Sequence, residues 1–187
     1  MLTPKTLIPF HHFPMKTQGK APLNGYQMLA RKLIVHARTS FLIPIFRRLY
    51  GAAEARAQLR YLEQLPVGTL GRGVADILRE NHLQLIPHYE NHDLKHVLLG
   101  YAMTPEDELK LKAFILGNGD WSITCVGFLL LAVLTPDVWP ALRRHYQRGR
   151  RTQSIVGWTL TEYAGQCTTA LRHQIGLPAA ATGHMVA

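Results

Sequence analysis

The string His92-Asp93-Leu94-Lys95-His96 contains side chains well suited to holding a metal ion. Residues four positions apart lie on one face of an α-helix, so the two imidazoles can converge on a single ion. Asp93 lies about 100° around the helix from His92. From there its carboxylate could reach the ion or orient a histidine. The spacing therefore predicts a metal site built on a helix.

Glu108 is expected to complete this site from the next helix. A short turn containing Gly100 separates the two segments, and a helical hairpin would bring the carboxylate back over the histidine pair. Two imidazoles with one or two carboxylates suit zinc first, and also iron, cobalt or manganese. A zinc peptidase normally has His-Glu-x-x-His, so the shorter Asp93 argues against peptidase chemistry. Without a metal, the same residues would form a solvated helix face.

The elements that must position these residues are all predicted to be helices. Apolar residues recur at three- and four-residue steps, with no strand alternation and no internal repeat. N-cap residues, prolines and glycines mark where one predicted helix ends and the next begins. The expected helices cover residues 26–49 with a break at Pro44, 52–65, a segment capped by Thr69, 92–101, 105–116, 121–134, 136–149 and 154–175. The predicted fold class is an all-α, single-domain bundle of about seven to eight helices.

Length and composition indicate one folded domain. The chain has 187 residues, of which 47% are hydrophobic, which excludes a disordered composition. We expect an irregular basic arm at 1–25, a helical metal- and lipid-binding domain at 26–178 and a flexible tail at 179–187. Cys125 and Cys167 are too few for a disulfide framework. The longest apolar run, 126–134, is shorter than the roughly 20 residues of a spanning helix even when extended back to Trp121, and we interpret it as a core helix.

The net charge of +9 favours an anionic partner, which could be membrane lipid, phosphate or nucleic acid. No acidic residue precedes Glu54, whereas eight lysines and arginines do. Basic and apolar residues alternate there, as in a helix that lies on a membrane surface and equally as in an ordinary core-facing helix. No module that reads nucleic acid is recognisable, so we predict no nucleic-acid partner. No secretory signal is evident, while a mitochondrial presequence would share this composition.

Two further groups of residues are candidate contacts for a lipid. Arg143 and Arg144 belong to a second basic cluster that could hold a headgroup or a phosphate. An isoprenoid tail could contact Trp121, Phe128, Leu129 and Leu130. The plainer alternatives are a solvated helix end and a filled hydrophobic core.

The metal motif and its surroundings resemble the Coq-four family of coenzyme Q (ubiquinone) biosynthesis proteins. The matching signature is His92-Asp93-x-x-His96, eleven residues and then Glu108. The resemblance extends over about residues 60–178, through the segments 65–72, 96–100, 108–114 and 171–176. The turn 104–107 is more acidic than in the family, and the helix after Glu108 ends early at Gly117-Asn118-Gly119. These departures leave the substrate more open than the metal.

The resemblance implies a helical fold and a divalent metal held by His92, Asp93, His96 and Glu108. It also implies metal-dependent, oxidative decarboxylation of a polyprenylated aromatic quinone precursor, in contact with other quinone-biosynthesis enzymes. Alternatives are a non-catalytic lipid-binding scaffold for those enzymes and a divergent member that acts on another isoprenoid lipid. His88 and Glu90 are candidate acids or bases.

The same resemblance implies peripheral membrane attachment. The expected location is the cytoplasmic face of a bacterial inner membrane, with the matrix side of the mitochondrial inner membrane as the alternative. Expected partners are the membrane surface, an isoprenoid lipid and the other enzymes, and a homodimer is also considered.

Overall fold

The computed structural model describes residues 25, 26, 28, 29, 32, 52–86 and 89–178. From residue 52 onward, eight α-helices follow one another in the chain. They are α1 Ala52–Gln64, α2 Leu70–Glu80, α3 Glu90–Leu99, α4 Pro105–Gly117, α5 Ile123–Leu130, α6 Trp139–Arg151, α7 Leu160–Tyr163 and α8 Thr168–Gln174. Two 3₁₀ turns, Leu131–Leu134 and Pro136–Val138, join α5 to α6. The predicted all-α, single-domain bundle is confirmed. The predicted tail, 179–187, and all of the predicted arm except Gly25 lie outside the described residues.

Helices α2 and α4 begin where the sequence signals predict them. The Thr69 hydroxyl accepts a hydrogen bond from the backbone N–H of Arg72, and that of Thr104 accepts one from Asp107. Pro105 occupies the first turn of α4, where its missing N–H costs nothing. These caps fix the start of the helix that carries Glu108.

The principal core lies between α2, α3 and α4, with α1 and the C-terminal segment packed around it. Its largest fully buried side chains include Leu70, Leu94, Leu98, Leu111 and Phe114. Helices α3 and α4 contribute to this core along one side. This packing fixes the positions of the two helices that carry the predicted metal ligands.

Helices α4 and α6 form the most extensive helix pair, and two glycines permit their close approach. A Cβ at Gly117 would overlap the carbonyl oxygen of Tyr146, and one at Gly149 would overlap that of Phe114. The amide of Asn118 donates to three carbonyl oxygens at the end of α6, at 3.1–3.2 Å. Gly149 was expected to end its helix, but α6 continues to Arg151 because this glycine serves a contact between helices.

The predicted single helix over 154–175 is wrong. Two short helices, α7 and α8, occupy this region, and Gly157 before them has a left-handed φ of 86°. The carbonyls of Ala164 and Gln166 accept hydrogen bonds from the backbone N–H groups of Gly71 and Leu70 at the start of α2. In one continuous helix these carbonyls would accept hydrogen bonds within that helix. In the structure they bond to the start of α2 instead.

The segment 121–134 was interpreted as a core helix, and this is correct for one face only. Cys125 and Ala132 are buried, and Leu129 packs partly against the core. Other large apolar side chains of the segment are exposed, namely Trp121, Ile123, Val126, Leu130 and Val133. None of the helices in the described part of the chain is both long and apolar enough to span a membrane.

Candidate metal centre

Helix α3 presents His92 and His96 on one buried face. They are four positions apart in the sequence, and their rings meet edge to face with centroids 4.7 Å apart. The helix ends at Gly100, whose left-handed φ of 75° suits a residue without a side chain. This ending turns the chain so that Glu108, near the start of α4, faces the histidines.

The carboxylate of Glu108 lies between the two imidazoles. Its Oε1 is 2.7 Å from His92 Nε2, and its Oε2 is 3.1 Å from His96 Nε2. One donor atom from each of the three residues lies within 4.8 Å of the other two. Their relative exposures are 8% for His92, 0% for His96 and 1% for Glu108. The structure thus brings together two imidazoles and one carboxylate in a site that is almost inaccessible to solvent.

The hydrogen bonding of His96 shows that this group suits a cation. Its Nδ1–H donates to the carbonyl oxygen of Tyr101 at 3.1 Å, which leaves a lone pair on Nε2 in the neutral ring. That lone pair faces an oxygen of Glu108, and two acceptors at this distance repel unless a proton or a metal ion lies between them. In addition, His92 Nδ1 is buried without a hydrogen-bond partner among the described residues. The donor set fits a divalent metal such as zinc.

Glu108 remains ionised in this environment. Burial raises the pKa of its carboxyl group, but the attraction and hydrogen bonding of His92, and a hydrogen bond from His96 when its Nε2 carries a proton, lower the pKa by more than burial raises it. The resulting pKa lies well below the usual value for a glutamate. The carboxylate is therefore available as an anionic ligand.

Asp93 lies beside the cluster and is not one of its three members. It is buried, and its Oδ1 is 3.6 Å from His92 Nδ1, which exceeds a hydrogen bond. The position suits orientation of the His92 ring better than direct contact with an ion shared by His96 and Glu108. Its role as a ligand or an orienting group stays a prediction.

The remaining candidate residues are spread over the surface around α5 and α6. Trp121 and Leu130 are exposed, Leu129 is half-buried, and Arg143 and Arg144 are exposed on α6. The side chain of Phe128, and all of His88, fall outside the described residues. Glu90 opens α3, and its Oε2 is buried with no hydrogen-bond partner among the residues described. Contact of the α5 and α6 residues with a lipid stays a prediction, as does a role of His88 or Glu90 as an acid or base.

Sequence reasoning missed Lys112, which lies next to the centre. It is one helical turn after Glu108, and its Nζ is 3.7 Å from Glu108 Oε1. A second lysine, Lys95 on α3, is half-buried and pairs with Asp120 at 3.7 Å, and burial lowers its pKa. The four-residue spacing of Glu108 and Lys112 was a usable signal, since such pairs lie on one helix face.

The carbonyl that accepts the hydrogen bond from His96 belongs to Tyr101, whose side chain contacts α6. Tyr101 donates its hydroxyl hydrogen to His145 Nδ1 at 2.6 Å, and the guanidinium of Arg148 lies over its ring. Burial raises the pKa of Tyr101 to about 12, so its hydroxyl stays protonated. The candidate metal centre is therefore supported from α6 through this tyrosine.

His145 should make the stability of the protein depend on pH. Burial first, and then the charges of Lys110 and Arg148, lower its pKa from 6.5 to about 4. As the pH falls between these values, the unfolded chain binds a proton that the folded protein does not, so the free energy of unfolding decreases. Replacing His145→Gln should flatten this slope. Urea unfolding at several pH values measures it, and equal slopes in both proteins would contradict the expectation.

The fold and the site together define a class, namely single-domain helical proteins with a buried centre of two histidines and one glutamate. A crystal structure of a protein from Nostoc punctiforme PCC 73102, provisionally named a ubiquinone biosynthesis protein, shares the fold with a TM-score of 0.52. The two chains are 20% identical, and the match covers 81% of each. No protein-family model and no curated protein sequence matches the chain.

Proposed function

We propose that the protein acts in ubiquinone biosynthesis, as a metal-dependent decarboxylase of a polyprenylated aromatic precursor. The observation that carries this proposal is the buried cluster of His92, His96 and Glu108, with donor atoms within 4.8 Å of one another. The spacing of its residues resembles the Coq-four signature. The fold shared with the Nostoc protein supports the same assignment.

A divalent ion at this centre would supply Lewis acidity to a ring phenolate and its neighbouring carboxylate. In simple decarboxylation, the bond from the ring to the carboxyl carbon breaks, carbon dioxide leaves and the ring carbon takes up a proton. Replacing the carboxylate by hydroxyl would also consume molecular oxygen and an external reductant. His92, His96 and Glu108 would hold the ion in a buried site that excludes water, where charge interactions are strong.

The surface of α5 suits a substrate that resides in a membrane. Exposed apolar side chains cover the segment from Trp121 to Val133, and Trp139 continues them onto α6. Residues 123–151 contain five arginines and one acidic residue, Asp137. Apolar side chains next to cations are typical of a surface that rests on anionic lipid. We therefore place the membrane contact here, together with the basic N-terminal arm.

This surface can be tested by one substitution. Ile123 is 90% exposed, so Ile123→Glu should leave the fold intact while it weakens binding to anionic vesicles several-fold. Binding should also weaken as salt screens the arginines over about 8 Å. Sedimentation with vesicles of phosphatidylglycerol measures both effects. The matched control is Val67→Glu, which changes an exposed valine before α2, and equal loss in the two variants would argue against the α5 surface.

The function itself requires a metal and a turnover assay. Purified protein should contain about one divalent ion per chain and convert a prenylated hydroxybenzoate-type precursor, with release of carbon dioxide. Removal of the ion by a chelator should stop this reaction, and adding it back should restore it. Metal-free protein that shows the same turnover would contradict the proposal.

The near-complete burial of the cluster favours a second candidate, a lipid-binding scaffold with a structural metal. A structural site has four protein ligands, whereas a catalytic site keeps one position open. Asp93 is close enough to be considered as a fourth ligand after local movement. Visible absorption of the cobalt-substituted protein distinguishes the candidates, because an added anion should change the spectrum only if a position is open.

A further inference from the structure

We propose that Lys112 and Lys95 form an oxyanion site beside the metal centre, which binds the carboxylate of an amphipathic aromatic substrate. The identity of the substrate rests on the proposed function. The site itself rests on the placement of two lysines that neither the metal motif nor the helix core explains.

Lys112 is buried without a hydrogen-bonded counter-ion. Its side chain is 10% exposed, and the nearest carboxylate oxygen among the described residues is Glu108 Oε1 at 3.7 Å. This distance exceeds a hydrogen bond. A buried ammonium group is unfavourable unless it is paired and hydrogen-bonded, and this one is only partly paired. The position is suited to an additional anionic partner.

A bound ion would add to the positive charge around Lys112. When Glu108 binds a divalent ion, Lys112 is left near two positive charges in a low-dielectric place. The ammonium then repels the ion and also competes with it for the carboxylate. A ligand oxyanion placed between the ion and Lys112 replaces this repulsion by two attractions. The arrangement therefore favours a substrate whose negative charge lies beside the metal.

Lys95 extends the positive charge toward the surface. Its Nζ is 3.7 Å from Asp120 Oδ2, and its positive charge and that of Lys112 repel each other. The carboxylate of Asp120 is held by the backbone N–H of Ser122 at 3.0 Å. The next residue after Asp120 is the exposed Trp121, where the apolar surface of α5 begins. A carboxylate head beside the lysines thus has an apolar surface next to it for its tail.

The test measures ligand binding to the zinc-loaded protein by titration calorimetry. Salicylate serves as the carboxylate probe, salicylamide as its neutral counterpart and inorganic phosphate as the alternative oxyanion. Lys112→Met should weaken salicylate binding about tenfold or more and leave salicylamide unchanged. Zinc affinity, measured by competition with a chromogenic chelator, should stay the same or increase because a repelling charge has been removed.

Lys110→Met is the matched control on the same helix. Lys110 pairs instead with the carboxylates of Asp107 at 2.8 Å and Glu106 at 3.1 Å, so its loss should not affect salicylate binding. Circular dichroism checks folding. If Lys112→Met fails to fold, Lys95→Met provides the measurement, with the same direction of change expected.

Three outcomes would overturn the inference. They are equal salicylate affinity in wild type and Lys112→Met, tighter binding of phosphate than of salicylate, and loss of zinc in Lys112→Met. Wild-type protein that binds no zinc would instead contradict the proposed function. In that case, loss of salicylate binding by metal-free Lys112→Met would still support the lysine site.

Discussion

The variant His96→Ala is expected to lose the divalent metal while it keeps its helices. His96 is the most buried of the three clustered residues, and its Nε2 faces Glu108 with its tautomer fixed by Tyr101. Without this ring, two donor residues remain. We expect the affinity to fall by more than the roughly 10–100-fold that follows loss of a residue that only orients a ligand. His92→Ala should behave similarly, and Glu108→Gln should weaken binding less than either.

Metal analysis and chelator competition measure this loss, and circular dichroism checks the helices. The matched control is His173→Ala, which removes an exposed histidine on α8, far along the chain from the cluster. His96→Ala with a full complement of metal would show that the ion binds elsewhere. If Glu108→Gln loses as much metal as the histidine variants, the expected ranking of the ligands is wrong.

Replacing Gly149 with alanine is expected to destabilise the protein strongly. The added Cβ would overlap the carbonyl oxygen of Phe114 and lie 3.0 Å from the backbone nitrogen of Asn118. Both are backbone atoms at the C-terminal end of α4, which Asn118 caps, so no side chain can rotate away and the two helices must separate. We expect a loss of at least about 3 kcal/mol in the free energy of unfolding. For a protein of this size, Tm should fall by roughly 6–12 °C.

Gly127→Ala is the control for the change of residue type. Gly127 lies within α5, and no atom would lie within 4 Å of its added Cβ. Alanine favours a helix over glycine, so this variant should be unchanged or more stable by about 0.5–1 kcal/mol. Thermal unfolding followed by circular dichroism measures both variants. Similar Tm values in the two would mean that α4 and α6 can separate at little cost.

Gly149→Ala should also reduce metal affinity, because α4 carries Glu108. Separation of α4 from α6 would disturb both this carboxylate and Tyr101, which His145 of α6 holds. Binding of zinc below the Tm of the variant measures this effect. It distinguishes a change confined to stability from one that reaches the centre.

Features that depend on neighbouring residues were predictable from the sequence. The caps of α2 and α4 require only a threonine and the backbone three residues later, and both were located correctly. The facing of His92 and His96 follows from helix geometry in the same way. The helical character of the chain depends on the spacing of apolar residues, which is also a local property.

Features that depend on distant partners were not predictable. Gly149 reads locally as the end of a helix, but its partner is Phe114 in another helix. The carbonyls of Ala164 and Gln166 bind the start of α2, which divides a segment that reads as one helix. The sequence of α5 is equally apolar whether its outer face is exposed or covered by another element, so the exposure of that face could not be predicted. Lys112 was visible as a helical neighbour of Glu108, but its burial depends on packing between α3 and α4.

Arg172 has a consequence for the order in which this protein can mature on the ribosome. Its guanidinium, 5% exposed, donates to the carbonyl oxygen of Leu98 at 2.6 Å and to that of Pro178 at 3.0 Å. The first contact satisfies a carbonyl in the last turn of α3, the helix that bears both histidines. The side chain that satisfies this carbonyl lies 74 positions later in the chain. In a nascent chain this carbonyl has no Arg172 partner until synthesis has passed residue 172, so we expect the end of the histidine helix to be less stable before then.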